Sequence, residues 1–155
     1  MKEFKAPETI EVSDMSIFLA GSIEMGKAED WQTTFTKAFN NKDVCIYNPR
    51  RDDWDSSWKQ TIEDPQFNEQ VNWELDAMEQ AGIIAVYIDP KTQSPITLME
   101  IGLHANTDTR MVVCCPEGFY RKGNVDIVCE KYNVMMVPDI QSLIATCKAL
   151  LGLYD

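Results

Sequence analysis

The chain has 155 residues, 45% of them hydrophobic, which is the size and composition of one globular domain and excludes disordered and fibrous classes. Lys and Arg number 14 against 25 Asp and Glu, and the net charge of -11 repels nucleic-acid polymers and anionic membranes. A mononucleotide held in a local pocket is compatible with that surface. The five cysteines are an odd number without framework spacing, and Cys114 and Cys115 are adjacent, so free thiols in a reducing compartment are expected. No Cys-x-x-Cys pair occurs and the single His104 lacks a ligand-spaced partner, so no metal site is expected. With no signal-peptide core and no apolar run of spanning length, the expected location is cytoplasmic.

Residues 1–13 are polar, with Pro7 early, and read as a flexible arm ahead of one domain over residues 14–155. Residues 16–20 (SIFLA) form a short buried strand that meets a turn at Gly21. Residues 26–40 carry Trp31, Phe35 and Phe39 at four-residue steps, one face of a helix. Residues 44–47 (VCIY) make a second strand, stopped by Asn48-Pro49. Residues 50–65 are polar, aperiodic and rich in Trp, a long surface loop of the kind that often carries function. Residues 67–80 are helical, with Val71, Leu75 and Met78 on one stripe, and residues 83–88 (IIAVYI) are the third strand. A turn-rich loop over 89–95 leads to a helix over 96–105 and a strand over 111–115. A loop over 118–123, a helix over 125–131, a strand over 134–137 and a helix over 140–151 complete the chain.

Strands alternate with helices and are continuous apolar runs, which predicts a parallel sheet covered on both faces. The expected fold is therefore α/β, a doubly wound Rossmann-like or flavodoxin-like sheet of about five strands flanked by helices. Ligands of such folds lie at the carboxyl ends of the strands, here residues 21–26, 48–58, 89–100 and 116–124.

Four stretches carry candidate chemistry. The segment 21–26 (GSIEMG) presents Gly21 and Ser22 between a strand and a helix; it reads either as an anion cradle of backbone N–H groups or as an ordinary turn. In 48–58 (NPRRDDWDSSW), Asn48, Arg51, Asp53 and Trp54 are candidate substrate contacts, with Arg50 and Arg51 able instead to pair with Asp52 and Asp53. An exposed Trp is costly, which favours Trp54 as a ring that covers a ligand. Glu74, in WELD, and Glu100, in MEIG, flank the third strand. Glu100 either compensates a helix dipole or serves as a carboxylate nucleophile with a second carboxyl group as proton donor, the logic of retaining glycosyl transfer.

The stretches 17–23 (IFLAGSI), 48–54 (NPRRDDW), 73–87 (WELDAMEQAGIIAVY) and 94–102 (SPITLMEIG) together resemble the nucleoside 2-deoxyribosyltransferase family, including its nucleotide-hydrolysing relatives. The resemblance runs from Ile17 to about Ala105 and continues more weakly to the end. It implies that Glu100 attacks the anomeric carbon to form a covalent deoxyribosyl ester. It implies that Glu74 handles the base or its leaving proton, where the family usually has Asp. Asp76, two residues on, is a secondary candidate for substrate contact, expected to point elsewhere on the helix. Ser94 stands where the transferases carry a sugar-holding Asp and where the 5′-monophosphate N-hydrolases carry a Ser that contacts phosphate. Phe18 falls near a family Tyr that steadies the nucleophile. Asn124 and Tyr154 resemble elements donated to a neighbouring subunit's site.

The expected reaction is transfer of 2-deoxyribose between nucleobases, with no cofactor, in a homo-oligomer that is a dimer or higher. Its partners are a small nucleoside or nucleotide and a free nucleobase. The alternatives are hydrolysis of nucleoside 5′-monophosphates and a non-catalytic nucleotide-binding module.

Overall fold

The structure is a computed structural model that describes residues 1–24 and 27–154. Met25 and Gly26, part of the 21–26 loop and the expected start of the first helix, lie outside the described residues. The elements are β1 (Lys2–Lys5), β2 (Ser16–Gly21), α1 (Trp31–Lys37), β3 (Cys45–Asn48), α2 (Pro65–Gln80), β4 (Ile83–Tyr87), α3 (Pro95–His104), β5 (Met111–Cys114), α4 (Lys122–Lys131), β6 (Met135–Val137) and α5 (Ile140–Leu150). All strand pairings are parallel, in the order β1-β3-β2-β4-β5-β6. This is the expected doubly wound α/β sheet.

One expectation is corrected at the N-terminus. Residues 2–5 are a sixth strand rather than part of a flexible arm, paired in register with β3 from Lys2 opposite Cys45 to Lys5 opposite Asn48. Lys2, Glu3 and Lys5 hide this strand from any search for apolar runs. Charges belong on an edge strand, where they discourage further pairing. Phe4 anchors it edge-on to Tyr47, with ring centroids 6.1 Å apart.

Helix starts follow local capping. The Asp30 side chain accepts from Thr33 N, so α1 begins at Trp31. Asp64 Oδ1 accepts from Gln66 N at 3.1 Å and Phe67 N at 3.0 Å, and Pro65 takes the first helical position of α2, two residues before the expected start.

The sheet separates two cores. Phe18, Ala20, Ile84, Val86 and Val113 pack with Met78, Ile101, Val125 and Cys129, which come from α2, α3 and α4. Ile17, Leu19, Ile83, Ala85 and Val112 face Trp31, Phe35, Leu143 and Cys147, from α1 and α5. Alternate residues of each strand thus feed opposite faces, as strand geometry requires. All five cysteines are buried free thiols. Among the described residues no helix is long and apolar enough to cross a membrane.

The chain leaves β2 toward β3 on one side, while β4 lies on the other. The topological switch point is therefore between β2 and β4, where the loops after both strands open at their carboxyl ends.

Candidate active site

Gly21 ends β2 at φ +151°, and a Cβ there would stand 2.1 Å from the Tyr87 carbonyl oxygen. Glycine lets the ends of β2 and β4 close together, which brings Ser22 under the loop that follows β4. Ser22 Oγ lies 2.6 Å from Ser94 Oγ and 3.0 Å from Thr92 Oγ1, and Thr92 Oγ1 lies 2.7 Å from Ser94 Oγ. Asp89 N donates to Ser22 Oγ at 2.9 Å. Ser94 has a left-handed backbone, φ +44°, at the residue preceding α3, and its side chain does not cap the helix. Glu24 is also left-handed, at φ +47°, and its Oε1 accepts the Ser94 N–H at 2.8 Å. Two non-glycine residues in this strained region meet at the switch point, the kind of clustering seen at ligand sites.

The two acids lie on the α2–α4 side of the sheet. Glu100 is 7% exposed, on the second turn of α3. The first turn of α3 carries no acid, so compensation of the helix dipole does not account for Glu100. Burial pushes its carboxyl up to about 8, with the Glu74 charge as the second cause. Glu74 keeps partial contact with solvent on α2, and burial raises it to about 7 against the opposing effect of a hydrogen bond from Gln70. Among the described residues no cation acts on either carboxyl. The structure thus places Glu74 near enough to Glu100 for its charge to oppose the ionisation of Glu100.

The other sequence-derived candidates are placed as follows. Asn48 is 3% exposed; its Nδ2 donates to Glu3 Oε1 at 2.8 Å and its Oδ1 accepts from Arg50 N at 3.0 Å. Its amide fastens β1 and the loop. Arg51 forms a two-pronged pair with Asp53, Nε to Oδ1 at 2.9 Å and Nη2 to Oδ2 at 3.0 Å, and lies over Trp58 at 4.9 Å. Trp54 meets Trp58 edge-on at 5.0 Å, and its buried Nε1 has no acceptor among the described residues. Asp76 is exposed on α2. Asn124 lines a cavity of about 250 Å³ between α3 and α4 with Leu98, Ile101 and Val125. Phe18 is buried in the core, with its ring tilted against Trp73.

Sequence reasoning missed Thr92, Glu24 and Gln70. Thr92 and Glu24 act through contacts some 70 residues apart in the chain, which no local pattern reveals. Gln70 had a readable signal, one helical turn ahead of Glu74 on the same face.

Parallel doubly wound domains bind small molecules at such a switch point. The sequence profile described as nucleoside 2-deoxyribosyltransferase like matches residues 14–119, and the chain belongs to that family. No curated protein matches the chain significantly.

Proposed function

We propose that the protein cleaves the N-glycosidic bond of 2′-deoxynucleosides and transfers the deoxyribose to another nucleobase through an ester on Glu100. The observation that carries this reading is Glu100, buried on α3, with the half-buried Glu74 of α2 near enough for its charge to act on it. N-glycosides break through a transition state with positive charge on the sugar, and a carboxylate in a dry site stabilises that charge strongly. In the first half-reaction a Glu100 carboxylate oxygen bonds to the anomeric carbon as the carbon–nitrogen bond breaks. The departing base takes its proton from Glu74. In the second, the acceptor base attacks the same carbon, Glu100 leaves as carboxylate, and the acceptor's proton returns to Glu74. General acid help of this kind contributes ~10²–10⁴-fold. The test incubates deoxynucleosides with and without a second free base and follows products by chromatography. A new nucleoside formed only with acceptor supports transfer; turnover without acceptor supports hydrolysis. Nucleotide binding without turnover, with the same affinity in Glu100→Gln, supports a binding module.

Hydrolysis of 5′-monophosphates is kept as the second reading because Ser22 and Ser94 hold a hydroxyl pair at the switch point. Against it, the Glu24 carboxylate already takes the Ser94 N–H, and a phosphate there would meet a like charge. Ser94→Ala separates the two readings. Transfer from nucleosides predicts that it changes kcat/KM for nucleosides and monophosphates alike. A phosphate contact predicts a selective loss of about 10–100-fold on monophosphates, the worth of a charge-assisted hydrogen bond.

A homo-oligomer belongs to the same proposal. Ile96, Met99 and Leu103 are each more than half exposed on one stripe of α3, the helix of Glu100. An uncharged apolar stripe on a chain of net charge -11 suits a second copy, because it is where two such chains approach without repulsion. Leu103→Lys is expected to lower the mass measured by light scattering to that of a monomer. An unchanged mass, or a wild-type monomer, would contradict it.

A further inference from the structure

Gln70 is 3% exposed on α2 and has the geometry of a side chain that serves another. Its Nε2 donates to two acceptors, the Pro49 carbonyl at 3.1 Å and Glu74 Oε1 at 2.7 Å. The two ends of a side-chain amide are distinguished only by their partners. Here Pro49 decides. A carbonyl has no proton to give, so the nitrogen must face it, and the second N–H then falls on Glu74. The opposite orientation would set two oxygens against each other. The price of this arrangement is the amide's own Oε1, which is buried with no donor among the described residues. A side chain kept only for packing would have no need of that unpaired atom.

We propose that Gln70 is a positioning residue for the acid: it fixes Glu74 Oε1 as a hydrogen-bond acceptor and so leaves the acid's proton to be carried on Oε2. Among the described residues no protein donor reaches Oε2. Gln70 also ties Glu74 to Pro49, the root of the 50–64 loop, so the loop and the acid share one anchor. The idea rests on the reading of Glu74 as the proton donor.

The groups that face Glu74 limit what else could set its titration. From α3 comes Glu100, whose own carboxyl is raised by burial and by the Glu74 charge. On α2 itself Glu69 and Asp76 are exposed. From the loop, Arg51 is held by Asp53. The N-terminal segment meets α2 through the Glu8 carbonyl, which accepts from Trp73 Nε1 at 2.7 Å. The strand residues beneath, Phe18, Ile84 and Val86, are apolar. Among the described residues, Gln70 is the group that favours the ionised form of Glu74.

The experiment is a carbon-13 NMR titration of the side-chain carboxyls of the full chain, with Glu74 and Glu100 assigned from Glu74→Gln and Glu100→Gln. Gln70→Met keeps length and helix preference but removes the N–H. It is expected to raise the Glu74 midpoint by about one pH unit and to move the corresponding limb of the pH–rate profile equally. Gln70→Asn, which keeps an amide but is too short to reach, is expected to do the same and serves if the Met variant does not fold. A folded variant with an unmoved midpoint overturns the proposal. A raised midpoint in a protein without turnover supports the positioning role and removes only the catalytic reading. An active enzyme with an unmoved midpoint removes only the positioning role.

Discussion

Glu100→Gln is expected to lower turnover by ~10³-fold or more, the scale of losing a covalent nucleophile, while the fold and substrate affinity persist. The amide has the same shape, so the packing around it is kept. What disappears is the oxygen able to bond to the anomeric carbon and the negative charge that stabilises the sugar cation. Burial gives that charge its leverage, because few water dipoles compete with it. Burial also holds both carboxyls up, so near neutral pH the free pair retains protons. The productive arrangement, Glu100 ionised and Glu74 protonated, is drawn out of the pair by the positive charge that develops on the sugar. Chromatographic rates check the loss. Mass spectrometry of acid-quenched protein, after a deoxyribosyl donor with fluorine at the 2-position of the sugar, checks the ester. Wild type should gain the mass of the sugar on the peptide containing Glu100, and the variant should gain none. Activity above a hundredth of wild type in the variant, or an adduct elsewhere, would remove Glu100 from the nucleophile's role.

Most of the scaffold was legible because burial writes itself into sequence. The β2, β4 and β5 strands are uninterrupted apolar runs, and each appears within a residue or two of where hydrophobicity placed it. β1 was not legible, since an edge strand faces water and Lys2, Glu3 and Lys5 give it the composition of a tail. Glu74 and Glu100 stood out for the opposite reason, acids among apolar neighbours. Composition did not show which polar residues are already engaged. Asn48, Arg51 and Asp53 were expected to meet substrate, and each is held by a partner within the protein. The hydroxyl triangle of Ser22, Thr92 and Ser94 exists only because the chain returns across the sheet between β2 and β4. Local reading had no access to that closure.

Glu100→Gln should also make the protein more stable than wild type in alkaline solution. Glu100 titrates near 4.5 when unfolded and is pushed up to about 8 by burial in the fold. Between these values the native state binds the proton that the unfolded chain has released. Stability from this group is therefore complete below the unfolded value and is lost as pH rises through the folded one. Each pH unit that separates the folded from the unfolded value is worth roughly 1.4 kcal/mol, so the wild type gives up several kcal/mol between about pH 5 and pH 9 on this account. Gln does not titrate, and the variant's melting temperature should fall less over the same range. A chain of this size moves by roughly 2–4 °C per kcal/mol. The variant should then melt about 3 °C or more above wild type near pH 9 while differing little near pH 5. Parallel melting curves across the range would mean that Glu100 is solvated and unstrained, which would weaken its case as a buried nucleophile. A crossing would identify the cost of keeping a buried carboxylate. A protein with no use for that charge would lose nothing by replacing it, whereas an N-glycoside-cleaving site needs a charge that water has not already satisfied.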